Sequence, residues 1–155
     1  MDTDRAELLR TRAHAFCKTL LSPPPPPQLL AQYFTPQNPE ITEHGPSWAT
    51  TKLPFLGQTF TGVDGCVSYF SLLSETLKMQ LSGDSFPGPE GFIVDAEANM
   101  VSVVGGGRFE SVRTGKSWTE RFAYRLSGWD EDGKIGHWEI WADPLSAWVA
   151  VQEEA

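Results

Sequence analysis

The chain has 155 residues, 40% of them apolar, six tryptophans and a formal net charge of −8. This is enough chain for one core, read as a single domain over residues 1–155, and the composition is that of a folded protein. The acidic balance argues against a nucleic-acid partner and against anionic membrane surfaces, and no apolar run is long enough to span a bilayer.

Met1-Asp-Thr-Asp-Arg5 lacks the apolar stretch of a secretory signal, so a cytoplasmic protein is expected. Asp4 followed by Glu7 resembles a capping pair. Leu9, Ala13, Phe16 and Leu20 repeat at helical spacing, which predicts an amphipathic helix ending at Ser22. Pro23 to Pro27 must run as extended polyproline II. It reads as a stiff connector rather than as a ligand for a proline-binding module. Its last proline suits the start of a short helix over residues 28–34. Residues 40–45 alternate as a short strand. Residues 46–56 are irregular, and Trp48 and Phe55 make this segment a candidate lid over a cavity. Val63, Cys66, Val67, Phe70, Leu73 and Leu77 form the stripe of a second long helix over residues 62–78. Cys17 and Cys66 fall on helices without a CxxC partner, so free thiols are expected, and neither a metal nor a cofactor.

The character changes after a Gly/Pro-rich loop at residues 82–91. Strands are predicted over 91–96, 100–113, 117–128 and 133–143. Gly105-Gly106-Gly107 lies inside the longest and reads as a bend that curls the sheet. GxGxxG and GxxxxGK[ST] are both absent, so it is no phosphate cradle. Asp130-Glu-Asp-Gly133 lacks the later ligands of a calcium loop and reads as a turn. Ala147, Trp148 and Val151 make a last apolar turn. Helices followed by hairpin-linked strands predict an α+β fold, with helices covering one face of one long, curved antiparallel sheet.

The last strand carries the unusual chemistry. Strand side chains alternate between faces. One face holds Ile135, His137, Glu139, Trp141 and Asp143; the other holds Gly136, Trp138, Ile140 and Ala142. A polar-lined cavity accounts for the first face, and a half-exposed edge strand with surface carboxylates is the alternative. Arg108 and Glu110 share a face just past the glycines, and Trp118, Glu120, Phe122 and Tyr124 share a face of the next strand. With those faces inward, one arginine stands among several carboxylates, holding one ionised while apolar burial raises another. A cross-strand ion pair on a solvated face is the alternative. His44 and His137 read either as hydrogen-bonded structural residues or as acid–base groups. Trp138 and Ile140 then face outward beside Thr119, Arg121 and Ala123, and a homodimer is expected to cover them.

The order of elements and the ending Lys134-Ile-Gly-His-Trp-Glu-Ile-Trp-Ala-Asp143 resemble the nuclear-transport-factor-2-like, or SnoaL-like, cone fold over nearly the whole chain. That resemblance implies a strongly curved antiparallel sheet wrapped around N-terminal helices. Arg108-Phe-Glu110 is similar to the Arg-x-Asp of limonene-epoxide-hydrolase-like members, with Glu in place of Asp. Trp141-Ala-Asp143 is similar to the Trp-Arg-Asp that carries their second acid. SnoaL-type polyketide cyclases use an acid near the end of the last strand as a proton shuttle. The resemblance thus implies Asp143 as the principal proton-transfer group, with Arg108, Glu110 and His137 in support. Trp141, Glu139, Tyr124, Phe122, Glu120, Trp118, Trp48, Phe55 and His44 would contact substrate. It implies a small cofactor-free cyclase, isomerase, dehydratase or epoxide hydrolase of secondary metabolism, acting on an apolar oxygenated small molecule. The other class it implies is a non-catalytic binding or scaffold protein.

Overall fold

The computed structural model describes residues 3–153. Helix α1 (Thr3–Thr19) buries Leu9, Ala13, Phe16 and Cys17, the stripe its spacing implies, with Asp4 inside its first turn. The chain leaves it through a turn at residues 20–22. Pro25 keeps extended dihedrals, and Pro26 opens α2 (Pro26–Tyr33), where a missing N–H costs no hydrogen bond. Strand β1 (Glu40–Glu43) follows, then a 3-10 turn (Ser47–Thr51) that buries Ala49, then β2 (Thr59–Thr61). Helix α3 (Gly62–Thr76) does not continue to Lys78 but passes into β3 (Leu77–Gln80). The remaining strands are β4 (Ile93–Asp95), β5 (Met100–Ser111), β6 (Ser117–Ser127) and β7 (His137–Trp141). The apolar turn expected at the end is an eight-residue helix, α4 (Pro144–Val151).

One open sheet runs β2-β1-β7-β6-β5-β3, with β4 also on β5. Pairing is antiparallel except between β1 and β7, which run parallel, so the sheet is mixed rather than wholly antiparallel. More than half of the chain separates those two strands in sequence, so no hairpin constrains their direction. The β5–β6 register is unbroken from Met100↔Ser127 to Glu110↔Ser117, so the three glycines interrupt no pairing. They are needed for close approach. A Cβ on Gly105 would stand 2.7 Å from both Phe122 and Phe86, and one on Gly107 would stand 2.6 Å from Leu81. Gly106 N–H donates to Ser85 O at 2.9 Å, tying the loop after β3 to the sheet. At the turn before β7, Asp130 Oδ1 accepts from the N–H groups of Asp132 and Lys134, both at 2.9 Å, which fixes the turn.

The helices pack on one face of the sheet. Trp138 is their common floor: its ring lies 5.1 Å from Phe16, 6.1 Å from Tyr69 and 5.2 Å from Tyr124, all edge-on. Trp138 and Ile140 are 2% and 5% exposed. This reverses the facing expected for the last strand. Its apolar side faces the helices, and His137, Glu139 and Trp141 face away. The apolar stripes of α1, α2 and α3 require an apolar floor, and only the Trp138 side of β7 supplies one. The two residues on which an outer-face homodimer was expected are therefore core.

Candidate active site

Between the helices and the covered face of the sheet lies a cavity of about 620 Å³. Its walls are apolar: Leu53, Phe55 and Leu56 after the 3-10 turn, Phe70 and Leu73 of α3, Phe109 of β5, Trp118, Phe122 and Tyr124 of β6, and Trp138 and Ile140 of β7. Pro23, Pro24 and Pro26 border it from the α1–α2 connector. Three carboxylates, Glu43, Glu120 and Asp143, reach it among these groups.

Glu43 is brought inside by register. In the parallel β1–β7 pair, Ile41 lies opposite Trp138 and Glu43 opposite Ile140, so both point toward the helices. The Tyr69 hydroxyl donates to Glu43 Oε1 at 2.7 Å. Burial pushes the Glu43 carboxyl up to about 7, with the Tyr69 hydrogen bond opposing and the charge of Glu120 adding to the rise. Burial also drives the Tyr69 phenol well above its ordinary value, reinforced by the charge and hydrogen bond of Glu43, so Tyr69 stays a donor.

Glu120 stands nearby on β6. Trp118 Nε1–H donates to its Oε1 at 2.7 Å, and the Asp143 N–H to its Oε2 at 3.3 Å. Burial raises its carboxyl above the usual range, the two hydrogen bonds oppose this, and the charge of Asp143 adds to it. The Tyr124 phenol is likewise pushed well up, by burial first and then by the charges of Cys17, Glu43 and Glu120. Asp143 itself caps α4. Its Oδ1 accepts from Ser146 N–H at 3.0 Å and its Oδ2 from the Ser146 hydroxyl at 2.6 Å. An apolar chamber holding one acid that exchanges its proton near neutrality, a second acid and two phenols is suited to moving a proton on a bound molecule. Among the described residues no His, Cys, Asp and Glu side chains cluster as metal ligands would.

Of the residues singled out in the sequence, Asp143, Glu120, Trp118, Phe122, Tyr124 and Phe55 line this cavity. The others lie elsewhere. Because Phe109 points inward opposite Trp118, its neighbours Arg108 and Glu110 point out. Arg108 donates to the Ser117 hydroxyl at 2.6 Å, and Glu110 lies 3.7 Å from Lys78 Nζ. Arg108 and Asp143 share the border of an outer depression, yet no hydrogen bond or ion pair joins them among the described residues. On the same outer face, Glu139 accepts from His44 Nε2 and Arg125 Nε, both at 2.9 Å. Burial pushes Glu139 up, but the hydrogen bonds from His44 and Arg125 and the charges of Arg125 and His137 outweigh it and hold the carboxyl below its usual range. His44 stacks on Trp141 at 4.4 Å, and His137 Nε2 is 2.8 Å from the Thr42 hydroxyl. Trp48 is 62% exposed and leans edge-on against Trp148. The expected Asp143–Arg108–Glu110 constellation is therefore not assembled. The sheet face that carries the polar residues of β5 and β7 is the outer one.

Two cavity groups, Glu43 and Tyr69, escaped the sequence reading. Both left a signal. Glu43 alternates in phase with Ile41, and Tyr69 falls three residues after Cys66 and four before Leu73, on the apolar stripe of α3. Each is a polar group on a face that must be buried.

Solved structures share this architecture. An NTF2-like protein of unknown function from Burkholderia pseudomallei K96243 superposes with a TM-score of 0.67 at 20% identity, covering 97% of this chain and 99% of that one. A provisionally named SnoaL-like polyketide cyclase from Jannaschia sp. CCS1 gives 0.61 at 12% identity, with 94% of each chain covered. A provisionally named isomerase from Bacillus subtilis gives 0.70 at 13% identity, again with 94% of each. No protein-family model matches the sequence, and no curated protein matches it significantly.

Proposed function

We propose, from the fold that this chain shares with nuclear-transport-factor-2-like and SnoaL-like proteins, that it is a cofactor-free enzyme that moves a proton on an apolar, oxygenated small molecule. Glu43 is the proton-transfer group, Tyr69 positions it, and Glu120 is the second acid. The observation that carries this reading is Glu43 itself: a buried carboxyl, hydrogen-bonded by one phenol, raised to about 7. A group with that affinity takes and returns a proton with little cost at neutral pH. Isomerisation or ring closure fits best. Glu43 takes a proton from a carbon beside a carbonyl, the C–H electron pair becomes the C=C bond of an enolate as the carbonyl π pair moves onto oxygen, and Glu43 returns the same proton at the far carbon of the conjugated enolate as the carbonyl re-forms. Epoxide hydrolysis is less well supported, since the Arg108–Glu110 pair that it needs lies outside the cavity. The reading places the protein in secondary metabolism, in a reducing compartment such as the cytoplasm, in keeping with its two free buried thiols. A homodimer through the outer sheet face would cover the exposed Ile93, Val104 and Trp141.

The test is hydrogen–deuterium exchange. Bicyclic ketones, with and without an amino group, are incubated with the protein in D₂O and followed by NMR at the carbon beside the carbonyl. The wild type should accelerate exchange, and Glu43→Gln should lose roughly 10²–10⁴-fold of that rate, the usual worth of one general acid–base group. Exchange unchanged in Glu43→Gln would sink the proposal. Binding without exchange would point instead to a non-catalytic small-molecule-binding protein.

A further inference from the structure

Carboxylates taken out of water are ordinarily matched by a cation or by hydrogen bonds to both oxygens. The cavity departs from that rule. Glu43 receives a single hydrogen bond, from Tyr69 to Oε1. Glu120 receives one from Trp118 and a longer one, 3.3 Å, from a backbone N–H. Among the described residues no arginine lines the cavity, and the one lysine that does, Lys78, is turned to the outer side of the sheet, with 63% of its side chain exposed and Nζ 3.7 Å from Glu110. A substrate carboxylate or phosphate entering here would meet Glu43, Glu120 and Asp143 with no opposing charge. A cation would meet the acids among aromatic side chains that include Trp118 and Tyr124.

Resting on the acid–base reading above, we propose that the substrate is a protonated amine on an apolar body, and that Glu120 is the counter-ion that selects it. Glu120 suits the role because it borders both the cavity and the outer depression, at the boundary between the chamber and solvent. Glu43, held against Tyr69 by the helices, remains the proton-transfer group. The charge of the substrate and the chemistry performed on it are thus assigned to different residues.

Three probes of one shape separate charge from size: 3-phenylpropylamine, 3-phenylpropan-1-ol and 3-phenylpropanoate, titrated by calorimetry at pH 7. The amine should bind the wild type at least roughly tenfold more tightly than the alcohol, and the carboxylate more weakly than either. Glu120→Gln should erase the advantage of the amine and leave the affinity for the alcohol within about twofold, which also shows that the variant is folded. Glu43→Gln should keep most of that advantage. The proposal is overturned if the alcohol or the carboxylate binds as tightly as the amine, if the preference survives Glu120→Gln, or if none of the three binds. The preceding reading fails separately, on exchange that does not depend on Glu43, and that result would leave the amine preference measurable.

Discussion

Glu43 links burial to chemistry most directly, and its cost is visible in stability. Its ordinary value is 4.5 and its folded value about 7. Between those values the folded state keeps a proton that the unfolded chain has released. Stability therefore falls as pH rises through that window. The contribution is fully present below 4.5 and lost above 7, by up to about 3 kcal/mol. Glu43→Gln cannot ionise. Its melting temperature should exceed that of the wild type at pH 8 and converge with it near pH 4.5. A wild type whose stability is flat across this range, or a Gln variant no better at pH 8, would mean that the carboxyl is solvated. Tyr69 limits the penalty: a hydrogen bond to a charged group contributes more than one between neutral partners.

At the scale of elements, α4 is tied to the cavity through one residue. Asp143 caps the helix with its side chain and, through its N–H, holds Glu120 Oε2. Pro144 at the first helical position lacks an N–H to satisfy, so the cap serves Ser146 alone. With both oxygens so occupied, we assign Asp143 a capping role, and two variants test it. Asp143→Ala should cost about 1 kcal/mol in denaturant unfolding. Asp143→Asn retains an acceptor for Ser146 N–H and should lose only part of that, with exchange activity close to wild type. A collapse of exchange in the stable Asn variant would return the proton-transfer role to Asp143.

For the whole molecule, the mixed sheet has one covered face and one bare one. The bare face carries a polar cluster, Glu139 with His44 and Arg125, beside exposed apolar groups. Ile93 is 73% exposed and Val104 47%. Apolar side chains so exposed on a sheet invite a second copy, and a twofold contact would bury both sets at once. Sedimentation at micromolar concentration should give twice the chain mass for the wild type, and Val104→Lys should reduce it to the monomer without changing the secondary structure. A monomeric wild type rules this surface out.

The sequence alone determined the long elements, because each carries its own period. Leu9, Ala13 and Phe16 mark α1 at helical spacing, and the alternation from Trp118 to Tyr124 marks β6. Aromatic groups of the right strand were also legible, since Trp118, Glu120, Phe122 and Tyr124 do share the cavity face. Strands as short as β2 and β3 span less than two full alternations and leave no period to read. More consequentially, alternation states which residues share a face but not where that face points. For β7 the answer came from outside the strand, from helices that needed Trp138 and Ile140 as a floor. Once that was set, His137, Glu139 and Trp141 had to turn outward, and a parallel neighbour far away in sequence carried Glu43 inward to meet Tyr69. The buried acid that lines the cavity was thus placed by a pairing between distant segments, which no local pattern in the chain encodes.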